Sequence, residues 1–272
     1  MRSRPGNLII AAVVAAVALL AAAASSPGQT TGYKAPRAPD GRPNLNGIWQ
    51  AMSSAYWDIE PHPSAAGPMW QLGASYAIQG GLGIVEGGSI PYKPEALKKK
   101  QENFAKRMEL DPEMRCYLPG VPRAMYMPYP FQIIQSQKHI MMVFEFAGAV
   151  RTIYMADQTE APADSWMGWS NGKWEAETLV IDTKGFNGMG WFDRAGNFSS
   201  DALHVVERIN ARSAETMNYE ATIEDANVFT KPWKISMPLY RRVERNMQLA
   251  EFRCVEFSED LVYGHLAKTP PK

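Results

Sequence analysis

Three charged residues share the alternation of apolar neighbours in segments that read as β-strands, and chemistry is sought there first. Arg151 is in step with Ile153 and Met155, Glu207 with Leu203, Val205 and Ile209, and Glu145 with Met141 and Val143. Side chains two residues apart on a strand point the same way, so the alternation predicts that all three charges face the interior. An unpaired buried charge is very costly. They must therefore either pair as a Glu–Arg–Glu network that locks the structure, or line a wet pocket as an acid–base and anchoring group. Phe144 and Phe146 flank Glu145 and leave its phase open.

His204 stands on the opposite phase from Glu207, with Val206 and Arg208. The imidazole titrates near neutrality, which makes His204 the best single general-base candidate, although a lone strand histidine also serves as a hydrogen-bonded packing residue. The loop 186–201 carries Asp193, Arg194 and Asn197 beside Trp191 and Phe192. Loops on a rigid scaffold gather binding groups, so Asp193 is a second acid–base candidate. Asp193-Arg194-Ala195-Gly196-Asn197 also reads as an ordinary polar turn. Trp191, Trp166, Trp169, Tyr129 and Asn197 are the expected ligand contacts. His62, His139 and His265 sit in loop or edge contexts and are set aside.

Other chemistries lack their signatures. The chain contains no Gly-x-Ser-x-Gly, no Rossmann glycine pattern and no Cys-x-x-Cys-His. Its four histidines and two cysteines do not fall at metal-ligand spacing. Neither a metal site nor a cofactor is expected.

These residues need a frame to hold them. Short β-branched and aromatic runs at 45–50, 131–135, 140–146, 150–155, 174–183, 203–209, 217–224, 233–239 and 249–257 predict about nine sequential antiparallel strands. Asn171-Gly172 is a hairpin signal. One helix is expected over 94–110, opened by Pro94, with Leu97, Gln101, Phe104 and Met108 on its apolar face and the lysines in water. The prolines between 112 and 130 impose an extended stretch whose Met and Tyr side chains must lie against apolar surface. Aromatic residues in the irregular 51–89 segment either form a lid or pack a long loop. The fold class is mainly β: an antiparallel, lipocalin-like (calycin-type) barrel with one short helix and long N-terminal loops. Gly47-x-Trp49, near its start, is a weak sign of the same architecture.

With 28 basic and 28 acidic residues among 272, the chain has no field to gather nucleic acid or an anionic membrane, and neither partner is expected. Arg2 and Arg4 before an Ala/Val/Leu run ending at Ala24 read as a signal peptide over 1–24, with a membrane anchor as the rival. Residues 25–45 follow as an extended leader with little core of its own, and 46–268 as a single barrel domain. The mature protein is expected to be periplasmic or secreted, without stable membrane insertion. In an oxidising compartment Cys116 and Cys254 read as one disulfide, adding roughly 3–5 kcal/mol in the chain-entropy model; two buried free thiols or a metal pair are the other readings.

Several stretches resemble a large family of exported bacterial proteins of unknown function, abundant in sphingomonads and acidobacteria and often present as several copies per genome. They are Ile90 to Ala96, Cys116 to Arg123, Tyr129 to Ile133, Trp166 to Trp174 and Asp201 to Arg208, the last reading DALHVVER. The resemblance spans nearly the whole mature chain. It implies varied small-molecule chemistry without supplying a mechanism. The family pattern places a histidine before the serine–acid pair where this chain has Ser199.

Together these readings predict a cofactor-independent enzyme of lyase, dehydratase or isomerase type, acting on an apolar aromatic or polycyclic molecule in a barrel cavity. His204 or Asp193 would move the proton, Arg151 would steady negative charge, and Glu145 and Glu207 would complete the charged floor. A periplasmic carrier of the same ligands and a structural envelope protein are the alternatives.

Overall fold

The computed structural model describes residues 33–266. The expected signal segment 1–24 lies outside the described residues. The chain divides into the units Met1–Tyr33 and Lys34–Lys272, and the second holds the fold. Within it Ala35, Ala38 and Leu45 are buried, so the described part of the leader contributes to the core. Nine strands are described: β1 (Gly47–Ala51), β2 (Phe131–Gln135), β3 (His139–Phe144), β4 (Val150–Tyr154), β5 (Trp169–Glu175), β6 (Thr178–Lys184), β7 (His204–Ala211), β8 (Thr216–Glu224) and β9 (Trp233–Arg241). Each pairs with its sequence neighbour, and β9 returns to β1 to close a barrel.

The sequence reading made every pair antiparallel, but β4 and β5 run parallel. Ring geometry requires this. Strand direction must return to itself around a closed ring, so the number of antiparallel steps is even and nine strands need at least one parallel step. Strands entering from the same end need a crossover, which residues 155–168 provide.

Three other boundaries differ from expectation. The β5–β6 turn falls at Ala176 and Glu177, with Ala176 at φ 52°, while Asn171 and Gly172 lie inside β5 and pair with Asp182 and Ile181. Residues 249–257 form no strand, because β1 already occupies the β9 edge. The expected single helix breaks at Lys106 into α1 (Pro94–Ala105) and α2 (Arg107–Leu110). α1 buries Ala96 and Asn103, whereas Leu97 and Phe104 are more than 40% exposed. Its inner face joins Ala96 of the core with a polar residue, the Asn103 amide donating to the Gly196 carbonyl at 3.3 Å.

The inward alternation stands as read for β7, β8 and β9: Val205, Glu207 and Ile209; Met217, Tyr219, Ala221 and Ile223; Trp233, Ile235, Met237 and Leu239 are all buried. Met125, Tyr126 and Met127 of the proline-rich stretch are buried as well. At the closure Trp49 is covered by the Arg241 guanidinium, 4.2 Å from its ring centroid, and its indole N–H donates to the Leu45 carbonyl at 3.0 Å. Gly47, at φ 140°, lets that guanidinium pass, since a Cβ there would lie 2.1 Å from Arg241 Nη1.

β1 reaches only residues 239–241 of β9. The N-terminal half of β9 is instead held by the long segment after β1. Val85 bridges Ile235, Glu86 N–H donates to the Lys234 carbonyl and Ser236 N–H to the Ile84 carbonyl, both at 2.9 Å. Residues 52–89 are thus stitched into the barrel seam.

The C-terminal segment lies over the outside. Cys116 and Cys254 form a disulfide, Glu259 pairs with Arg194 at 2.8 Å, and Phe252 packs on Tyr129 and Phe146. It contains α3 (Ser258–Tyr263), a short helix beyond the one expected, followed by a 3-10 turn at Gly264–Leu266.

Candidate functional site

Two of the three expected interior charges meet. Arg151 and Glu207, both at most 2% exposed, form a bidentate pair: Arg151 Nη1 donates to Glu207 Oε1 at 3.0 Å and Nη2 to Oε2. Arg151 Nε donates to Ser170 Oγ at 2.9 Å and Nη2 to Thr183 Oγ1 at 2.8 Å, while Tyr219 OH donates to Glu207 Oε1 at 2.9 Å. Burial, and then the Glu207 charge, push the Tyr219 phenol well above its ordinary range. Every partner is a fixed side chain of the packed interior, so the pair reads as a structural lock. Glu145 is not part of it. That residue follows the last residue of β3 in an α-helical backbone conformation, which breaks the alternation, and its carboxylate accepts from Ala250 N–H at 2.8 Å in the C-terminal segment.

His204 faces outward on β7. Its Nε2 lies 3.0 Å from Asp182 Oδ2 and its Nδ1 3.4 Å from Glu224 Oε2, both carboxylates being about half exposed. None of the other expected catalytic residues joins it. The expected aromatic contacts are likewise spread out and spent on packing: Trp169 stacks on Tyr154 at 4.4 Å, Trp166 on Tyr117 at 4.9 Å, and Tyr129 against Phe146 and Phe252. Trp191 and Trp166 do share a space with Ser199, but its volume is about 10 Å³, which suits a single water and no ring.

Asp193 is fully buried and all its described partners are donors. Oδ2 accepts from Ile59 N–H at 2.9 Å and the Asn197 amide at 2.6 Å, and Oδ1 from the N–H groups of Ala195 at 2.9 Å and Asn197 at 3.2 Å. Burial and the neighbouring Asp58 charge outweigh these donors and push its carboxyl up to about 7. Asn197 in turn accepts from Tyr92 OH at 3.0 Å. Asp193 cannot touch a ligand where it lies. It holds the 54–62 turn at Ile59, and its neighbour Arg194 donates from N–H to the Tyr56 carbonyl at 3.1 Å. The Arg194 guanidinium sits 4.7 Å over the Trp57 ring and is itself fixed by Glu113 and Glu259.

What this scaffold supports is a cleft of about 450 Å³ where β1 leaves the barrel, lined among others by Gln50, Ser54, Tyr56, Trp57, Gln79 and Pro128. Ser54 Oγ lies 3.3 Å from His62 Nε2, and His62 Nδ1 lies 3.4 Å from the Pro63 carbonyl. A carbonyl only accepts, so that contact favours the tautomer with hydrogen on Nδ1 and a lone pair on Nε2 facing the hydroxyl. The Asp58 carboxylate lies close enough to His62 for their charges to interact, and burial raises its pKa above the ordinary range.

The turn is closed by an antiparallel bridge between His62 and Gly81, with N–H to carbonyl bonds of 3.0 and 2.9 Å. A Cβ on Gly81 would lie 2.2 Å from Ser54 Oγ and 3.1 Å from His62 Nε2, so the glycine is what lets the two side chains approach. Sequence reasoning set His62 aside as a loop residue. Its partners lie 8 and 19 positions away in irregular chain, where no periodicity signals proximity; the Gly80-Gly81 pair was the one local hint.

Among the described residues no group of three or more His, Cys, Asp or Glu side chains stands where it could hold a metal ion. No helix among them is long and apolar enough to cross a membrane. No known family model matches the chain, and no curated protein matches it.

Proposed function

We propose that the protein is an exported, cofactor-independent enzyme acting on a small apolar aromatic molecule bound in the cleft between β1 and the 52–89 segment. The single observation that carries this reading is Ser54 on the wall of a 450 Å³ cleft with the His62 imidazole 3.3 Å from its hydroxyl. That volume falls within the range of small-molecule sites and accommodates one or two rings. Tyr56 and Trp57, with ring centroids 5.9 Å apart, supply aromatic surface, and His62 moves the proton. Lyase, dehydratase and isomerase steps need no more than such a positioned base. Export is supported by the disulfide together with the signal peptide expected over 1–24. A lipocalin-like (calycin-type) assignment is supported by the sequential closed barrel and by Trp49 packed under Arg241 at its closure, with the parallel β4–β5 step as its own variation.

The test is a panel of lignin-derived aromatics, terpenoids and steroids incubated with the purified protein, following binding by tryptophan fluorescence and turnover by mass. One- and two-ring compounds should be converted, and His62→Ala should slow conversion by a factor on the order of 10²–10⁴ while leaving binding nearly intact. Binding without any product would instead identify a carrier.

A further inference from the structure

We infer that Ser54 is a nucleophile and that the cleft takes carboxylic esters of small aromatic acids or phenols. The inference rests on the cleft being the site and adds the reaction class. Nucleophilic serine chemistry requires a base within reach of the hydroxyl, a group that fixes the base, and open space on the far side for a carbonyl carbon. Ser54 Oγ has His62 Nε2 at 3.3 Å, His62 Nδ1 has the Pro63 carbonyl at 3.4 Å, and Ser54 lines the cleft. Ser54, Asp58 and His62 fall within nine residues of one turn. Asp58 makes no described hydrogen bond to the imidazole but interacts with it through its charge, and a carboxylate so placed stabilises the imidazolium formed in the reaction. That turn is held from behind by the Asp193–Ile59 and Arg194–Tyr56 hydrogen bonds, which gives the pair the rigid support that catalysis demands.

The steps balance without any further reagent. Ser54 Oγ attacks the ester carbonyl as its proton passes to His62 Nε2. The C–O bond to the leaving alcohol then breaks, and the same proton is delivered to the departing oxygen, leaving an acyl-serine. Water, deprotonated by His62, attacks the acyl carbon and releases the acid, and the proton returns to Ser54. Gln79 and Tyr56 line the same cleft and carry, in their amide and hydroxyl, donor groups suited to the oxyanion.

The experiment combines a fluorophosphonate probe with p-nitrophenyl acetate and p-nitrophenyl benzoate, using the purified full-length mature protein. One fluorophosphonate should add per molecule, on the peptide containing Ser54. Ester hydrolysis should open with a burst of about one p-nitrophenol per protein. Ser54→Ala should abolish the label and the burst with an unchanged melting curve. His62→Ala should slow labelling by a factor on the order of 10²–10⁴. Ser213→Ala, in the β7–β8 turn, should label normally. Absence of label and burst, with His62-dependent conversion of non-ester aromatics still present, would overturn the nucleophile and leave the proton-transfer reading standing. A label that survives Ser54→Ala would overturn it equally. No label, no burst and no aromatic binding would overturn both.

Discussion

Removing Glu207 tests whether the interior ion pair is a lock or a site. Glu207→Ala leaves the Arg151 guanidinium at 2% exposure with only the Ser170 and Thr183 hydroxyls as described partners, and strips Tyr219 of its acceptor. A buried charge deprived of its partner costs about 3–5 kcal/mol. At roughly 2–4 °C per kcal/mol for a domain of this size, the melting temperature should fall by about 6–20 °C. Replacing both partners with apolar side chains removes two desolvated charges together, so Arg151→Met/Glu207→Leu should lie within about 2 kcal/mol of the parent, a large favourable coupling in a double-mutant cycle. The assay is urea unfolding of Glu207→Ala, and of Arg151→Met, Glu207→Leu and their double for the cycle. Two outcomes would refute the reasoning: a Glu207→Ala cost below about 1 kcal/mol, or a double variant as unstable as the sum of its singles. Loss of turnover in Glu207→Ala at undiminished stability would make the pair part of a site instead.

Asp193 carries a pH dependence. Its carboxyl is raised from 3.8 to about 7 in the fold, so the folded state binds the proton more tightly than the unfolded chain. The associated stability is complete below pH ~4 and is lost as pH rises to about 7, by up to ~4 kcal/mol at 1.36 kcal/mol per unit; Asp193→Asn should flatten that slope in unfolding titrations. Gly81→Ala should drive Ser54 Oγ away from His62 and remove turnover with little change in melting temperature. Reducing the Cys116–Cys254 disulfide, which spans 138 residues, should lower stability by about 5 kcal/mol in the chain-entropy model and open the 246–266 segment to protease. His204→Ala should cost no more than about 1 kcal/mol, because its carboxylate partners are half exposed, and should leave turnover in the cleft unchanged.

The barrel was legible where one rule governs many residues at once. Alternation along β7, β8 and β9 placed Val205, Glu207, Tyr219 and Ile235 inside, and of the two outcomes it left for the interior charges, pairing or lining a wet pocket, Arg151 and Glu207 take the first. It failed at Glu145 because the strand ends one residue earlier, and a phase has no meaning past a strand's end. The parallel β4–β5 step follows from nine strands in a closed ring, but only once closure is known, and closure depends on Gly47 to Ala51 finding residues near 240. The α1 face was misread because an amphipathic pattern assumes an apolar partner, whereas the loop at Gly196 offers a carbonyl to Asn103. The site was least legible of all. Ser54, His62 and Gly81 are brought together by irregular chain, and the contacts that hold them come from Asp193 and Arg194, more than 130 residues on from the turn they fix. The loop around Asp193 holds the 54–62 turn through Ile59 and Tyr56 and takes no part in the cleft itself. It supports the site from behind, in a position no ligand reaches, which is why the cleft variants should alter turnover at constant stability while Asp193→Asn alters both.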